Sequence, residues 1–182
     1  MPSHYSKGRS RTKTITGTID LVAQEVSNKL IFSYESPDRT RGWIIRDAWL
    51  WGADPFQSLI STDSMAMLMG NLATDSNTFA REKLNDPDDN RAFAWANRQY
   101  QSRDGLTDFT VANAGSIVDN RFLIDAERIV TNDLYINAAY FTEGETDVAP
   151  KLAFYVFMEE VNISPSQSLL QQLKGIGQDI EN

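Results

Sequence analysis

Side chains able to do chemistry are few, and most are acids. Asp86, Asp88, Asp89 and Asn90 crowd one stretch. Asp86-x-Asp88-x-Asn90 matches the opening of a calcium loop, in which alternate oxygens converge on one hard cation. Arg91 stands where the turn of such a loop needs glycine, and no glutamate follows at the closing position, so the full motif fails. Two readings remain: a looser oxygen site for a divalent cation shared between subunits near Asp86 and Asp88, or a solvated turn whose aspartates bond their own backbone. Glu159 and Glu160 are adjacent, so in a strand they point to opposite faces and make no catalytic pair by themselves. A glycosidase dyad would need Asp47 or Asp133 to approach one of them. The bland alternative is a strand end with exposed charges or an interface ion pair.

Other chemistries lack their residues. There is no Cys, which removes disulfides, thiolate metal sites and thiol catalysis. The single His, His4, lies near the terminus, outside any core able to hold a base. No Gly-x-Ser-x-Gly occurs, and Lys174-Gly175-Ile176-Gly177 falls far short of a phosphate loop. No catalytic residue, metal or cofactor is expected.

Binding residues are better represented. Lys7, Arg9, Arg11 and Lys13 give residues 1–13 a charge of +4 with no acid, while the rest holds 13 basic and 25 acidic residues. Such an arm either neutralises phosphate weakly and without sequence preference or serves as a solubilising tail. Arg39 and Arg41, in the turn Ser36–Gly42, add to the first reading. Trp43, Trp49 and Trp51 fall in one apolar run, where core packing is favoured over a sugar-stacking platform. Met65, Met67 and Met69 alternate and suit either a core or a lateral contact. Leu169, Leu173, Ile176 and Ile180 follow at spacings of four, three and four, an apolar helical stripe that must lie on its own domain or on a neighbouring copy. Gly175 and Gly177 weaken that helix by roughly 1 kcal/mol each relative to Ala.

The elements that position these residues are mainly strands. The chain has 182 residues, 41% of them hydrophobic, with four Trp, nine Phe and six Tyr, enough for one domain with a real core. Ile15, Gly17, Ile19 and Leu21 alternate with Thr14, Thr16, Thr18 and Asp20, the period of a half-buried strand over 14–24. A short run at 30–34 follows. Over 43–51 apolar groups fall on both faces, with Trp43, Ile45, Trp49 and Trp51 on one and Ile44, Ala48 and Leu50 on the other. Further strands are expected at 65–73, 93–100, 107–112, 128–138 and 151–161, with a short helix over 76–84. In the last strand Leu152, Phe154, Val156 and Met158 alternate with Ala153, Tyr155 and Phe157. No long helix separates successive strands, which disfavours a parallel sheet. The expected fold is all-β, an eight-stranded antiparallel β-sandwich of the jelly-roll type over 14–163. A flexible basic arm (1–13) precedes it. A C-terminal amphipathic helix (164–182) follows, with Ser164, Pro165 and Gln167 forming a capping box. No apolar run approaches 18 residues and the N-terminus lacks an apolar signal core, so neither membrane contact nor Sec-type secretion is expected.

Three stretches carry a family resemblance. Gly42–Trp51 (GWIIRDAWLW), Arg128–Ile136 (RIVTNDLYI) and the Leu152–Ile163 strand with the tail after it are similar in style to strands of capsid (coat) proteins of small icosahedral viruses. The resemblance is greatest to the single-jelly-roll coats of small circular single-stranded-DNA viruses. It implies a non-enzymatic virion protein whose copies self-assemble into a closed shell around viral nucleic acid. Residues 7–13 would then face the genome and the tail stripe a neighbour. Coats of this kind often carry a longer, more Arg-rich arm; four charges on an acidic chain imply only weak, non-specific contact with the genome. A carbohydrate-binding β-sandwich, of lectin or fibre-head type, is the alternative.

Overall fold

The computed structural model describes residues 11–22, 25–35, 39–53, 65–75, 83–101, 110–111, 121–142 and 151–176. Its strands are β1 (Thr12–Asp20), β2 (Val26–Phe32), β3 (Arg41–Gly52), β4 (Met65–Ala73), β5 (Ala92–Gln101), β6 (Thr110–Val111), β7 (Leu123–Ile124), β8 (Leu134–Thr142) and β9 (Lys151–Asn162), followed by helix α1 (Pro165–Ile176). One sheet has the order β1-β9-β3. The other runs β2-β8-β4-β5-β6, with β7 also on β5, and every pairing is antiparallel. β1 and β3 flank β9, while β2 and β4 flank β8: the chain changes sheet at each step from β1 to β4, stays in the larger sheet through β8 and returns to the smaller one at β9. That is the wrapping of a jelly roll, and the all-β sandwich expected from the strand periods is present.

The core lies between the sheets. Ile19 and Leu21, then Ile45, Ala48 and Leu50, then Leu152, Phe154, Val156 and Met158 face Leu68, Leu72, Leu134, Ile136 and Tyr140. Period-two alternation in β1 and β9 sets this directly: Thr14, Thr16 and Thr18 are exposed, and the β9 residues between the core positions are half-buried. Gly70 packs tightly against the facing sheet; a Cβ there would stand 2.6 Å from Leu50 Cδ2.

On its outer side the larger sheet carries a second apolar cluster of Met69, Ala73, Leu84, Ala92, Ala139 and Phe141, with Met67 packed against it. Of the three alternating methionines, Met69 is therefore a core residue. Beneath Leu84 two amides are fully buried as a cross-strand pair. Asn137 Nδ2 donates to Asn71 Oδ1 (2.9 Å), and Asn71 Nδ2 donates to the Leu84 carbonyl (3.2 Å). A slip of either strand would strand buried polar groups, so the pair fixes register.

Segment 121–130 bridges the two sheets along one side. Trp43 and Val130 exchange both backbone hydrogen bonds (2.9 and 2.8 Å), Phe122 N donates to the Ala48 carbonyl (2.9 Å), and Asp125 N donates to the Phe93 carbonyl (2.7 Å). One expectation shifts accordingly. The strand expected at 128–138 begins at Leu134, because Val130 is engaged with Trp43 and Asn132–Asp133 form a bend. Only Thr110 and Val111 of the 107–112 strand are described. Of the 76–84 helix, residues 76–82 lie outside the described residues, and Lys83–Asn85 form a turn that seats Leu84.

The Gly70→Val substitution should destabilise the sandwich by about 2 kcal/mol through overpacking against Leu50. Urea unfolding should show a lower midpoint at unchanged slope.

Candidate assembly and nucleic-acid surfaces

The outer face of the β1-β9-β3 sheet depends on one irregularity. β3 pairs β9 as Ile45↔Met158 and then Asp47↔Phe157, leaving Arg46 as an extra residue in a bulge. The inward set is therefore Trp43 and Ile45 before the bulge, and Ala48 and Leu50 after it. This corrects the strict alternation, which placed Trp43, Ile45, Trp49 and Trp51 together and favoured core packing for all three tryptophans. Only Trp43 is in the core, edge-on to Phe32 (5.7 Å) and Tyr34 (6.0 Å). Trp49 and Trp51 turn outward, beside Tyr155 and Ala153 of β9, with Thr16 and Thr18 of β1 completing the rows. Trp51 is 37% exposed.

Ion pairs border this face. Arg46 Nε lies 2.8 Å from Glu159 Oε2, and Arg121 Nε lies 3.1 Å from Asp47 Oδ1. The Arg121 guanidinium also covers the Trp49 ring, 5.2 Å from its centroid. Burial pushes the Asp47 carboxyl up, but hydrogen bonds from Trp49 and Arg121 and the Arg121 charge outweigh it and hold the group below the ordinary aspartate value.

A second surface gathers where the arm joins the sandwich. The Arg11 carbonyl accepts from Glu160 N (2.7 Å), and the side chains of Arg11 (3.9 Å) and Arg41 (3.5 Å) converge on the Glu160 carboxylate. Lys13 belongs to β1 rather than to an arm, with its ammonium 4.6 Å from the Phe32 ring centroid. Arg39 is exposed and adopts φ 54°, a left-handed conformation uncommon outside glycine. Arg11, Arg39 and Arg41 thus stand near one end, offset in part by Glu160. Lys7 and Arg9 lie outside the described residues.

Helix α1 forms the third surface. Its start is the expected capping box: Gln167 N donates to Ser164 Oγ (3.2 Å), and Ser164 N donates to Gln167 Oε1 (3.0 Å). The helix meets its own domain through polar residues. Ser168 is buried, Gln171 Nε2 donates to the Glu127 carbonyl (3.4 Å), and Gln172 Nε2 donates to Asn132 Oδ1 (3.1 Å). Leu169, Leu170 and Leu173 point away, at 48%, 54% and 52% exposure. The side chain of Ile176, and Ile180 altogether, lie outside the described residues. Under the helix start, a polar pocket of about 490 Å³ is lined by residues including Tyr34, Glu35, Arg39, Asp133, Ser168 and Gln172.

The acid clusters take structural roles. Asp86 Oδ1 accepts from Asp88 N (2.9 Å), the Asx turn of the bland reading. Asp89 is buried and holds Arg91 in a two-pronged pair, Oδ1 to Nε at 2.9 Å and Oδ2 to a terminal nitrogen at 2.7 Å. Buried Arg128 braces the same loop by donating to the Asn90 carbonyl; burial lowers its pKa, against the raising effect of Asp125. Glu159 and Glu160 are engaged by different arginines, Asp47 by Arg121, and Asp133 lines the polar pocket. Among the described residues, no three His, Cys, Asp or Glu side chains are placed to hold a metal ion, and no helix is long and apolar enough to cross a membrane.

Sequence reasoning missed Arg121, Asn71, Asn137 and Arg128. Arg121–Asp47, Arg128–Asn90 and Asn137–Asn71 are 38 to 74 residues apart, and Asn71 reaches the Leu84 carbonyl 13 residues on, so no local pattern marks them.

No protein-family model matches the chain, and no curated protein matches it. Among solved structures, it is similar to a chain in the structure of turnip yellow mosaic virus, with 3% identity and a TM-score of 0.34 over 85% of this chain and 96% of that one. A chain of mud crab tombus-like virus is similar at 9% identity and a TM-score of 0.27, over 94% and 91% respectively. Likeness at this level carries no argument about function, which rests on the surfaces above.

The Asp89→Ala substitution should cost about 3 kcal/mol at pH 7, because it removes both prongs of a largely buried ion pair with Arg91. Burial raises the Asp89 pKa, but the bonds and charge of Arg91 lower it further, so the folded value lies below the ordinary one. The stabilisation is therefore present above about pH 4 and lost as pH falls through the folded value. Acid titration followed by circular dichroism should show a shallower decline below pH 4 in the variant.

Proposed function

We propose that this chain is a structural virion protein, a coat subunit of a small icosahedral virus, whose copies assemble into a closed shell enclosing the genome. The observation that carries this reading is the inverted docking of α1. A helix laid on its own domain normally turns its apolar stripe inward; here Ser168, Gln171 and Gln172 face the sandwich and the leucines face out. Such a surface is completed by another chain, and Leu169, Leu173, Ile176 and Ile180 are assigned to a neighbouring subunit. The jelly-roll winding fits this role, as do the three stretches similar to coats of small circular single-stranded-DNA viruses; those stretches alone carry the relation to that viral group.

Lys7, Arg9, Arg11, Lys13, Arg39 and Arg41 are assigned to the nucleic acid. Two of them share Glu160, so the contact is weak, non-specific and easily displaced by salt. No enzymatic activity, cofactor or membrane contact belongs to this reading.

One observation favours a carbohydrate-binding module instead: Trp51 is exposed on a sheet face. Trp43 is in the core and the Trp49 ring is covered by Arg121, so these three indoles form no platform.

Size-exclusion chromatography with light scattering, at low and high salt, with imaging of any large peak, tests the proposal. Closed particles of uniform diameter are expected. Nucleic-acid absorbance in that peak should fall with salt and on removal of residues 1–10, which leaves β1 intact. A 20.5 kDa monomer under all conditions would overturn the shell.

A further inference from the structure

Resting on the coat reading, we propose where the helix goes: the leucine face of α1 in one copy seats on the outer face of the β1-β9-β3 sheet of the next copy, around Trp51. Both surfaces carry exposed apolar side chains in the single chain. On the helix stand Leu169, Leu170 and Leu173; on the sheet stands Trp51, with Ile44, Tyr155 and Phe157 half-buried along the same face.

One copy cannot bring them together. α1 starts beside the first residues of β3, where Ile163 N donates to the Thr40 carbonyl (2.8 Å). Trp51 is at the far end of β3, roughly 30 Å away at the rise of an extended strand. A helix of this length spans only about 18 Å. Its contacts with Glu127 and Asn132 also keep it near the Trp43–Val130 bridge.

Charge selects the same two surfaces. The chain carries −8, so copies repel over most of their surface. Residues 164–176 contain a single charge, Lys174. On the sheet face, Glu159 and Asp47 are neutralised by Arg46 and Arg121. These faces approach without net repulsion and bury leucine against indole and phenyl rings. The contact joins two different patches, so it propagates from copy to copy, and it closes into a ring where the rotation between copies closes.

Mixing two defective variants tests this. Leu173→Asp spoils the helix face and leaves the sheet face intact; Trp51→Asp does the reverse, with Trp51→Thr as a milder variant suited to a strand. Near-ultraviolet circular dichroism and melting confirm that each is folded. Light scattering should show that neither assembles alone, and that an equimolar mixture forms dimers of twice the 20.5 kDa chain, joined through the one intact pair of faces. If folded Trp51→Asp and Trp51→Thr assemble as the wild type does while Leu173→Asp fails, the helix docks elsewhere and the inference falls although the coat reading stands. A mixture that stays monomeric also overturns it. A wild-type chain that stays monomeric and binds glycans through Trp51 overturns the coat reading and the inference together.

Discussion

Pairing of β9 on both edges is the constraint on which the rest depends. Its inward row of Leu152, Phe154, Val156 and Met158 is almost wholly buried, and β1 and β3 must align their own inward residues to it. β1 does so residue for residue. β3 carries one residue more than the register admits and expels it as a bulge at Arg46. Ala48 and Leu50 then enter a narrow space that Gly70 keeps open, while Trp49 and Trp51 go to the surface. A local shift of one position thus converts a strand apolar on both faces into one that is core on one side and carries Trp49 and Trp51 on the other.

Much of this was legible from composition and period. Strands β1 and β9 alternate strictly because one face is buried and the other is not, and the capping box at Ser164 and Gln167 is a local pattern with a local cause. The bulge was not legible. It arises from how β3 matches β9, more than 100 residues later, and the run GWIIRDAWLW reads as smooth alternation without that partner. β8 was displaced for a similar reason: Ile129 and Val130 have strand character, but Val130 spends its backbone groups on Trp43. The leucine stripe of α1 was visible by spacing; the direction it faces was not, because that depends on Ser168 and the two glutamines finding partners at Asn132 and Glu127.

The surfaces also differ in kind, which gives the molecule a division of labour. Aspartates that resemble a cation loop are occupied holding Arg91 and their own backbone. Arginines at the arm end are partly neutralised by Glu160, which fits a weak hold on nucleic acid. Around the bulge, ion pairs between Arg46 and Glu159 and between Arg121 and Asp47 cancel charge beside an apolar patch. On a chain with a large acidic excess, the proposed contact between copies relies on that cancellation. The helix, nearly uncharged and held by polar contacts, presents Leu169, Leu170 and Leu173 outward.

Hydroxyl-radical footprinting read by mass spectrometry, on assembled and on dissociated protein, tests the central claim most directly. Trp51 and Leu173 should oxidise several-fold more slowly in the assembly, with Trp43 slow in both states. Equal oxidation of Trp51 before and after assembly would contradict the assignment of this face to a neighbouring subunit.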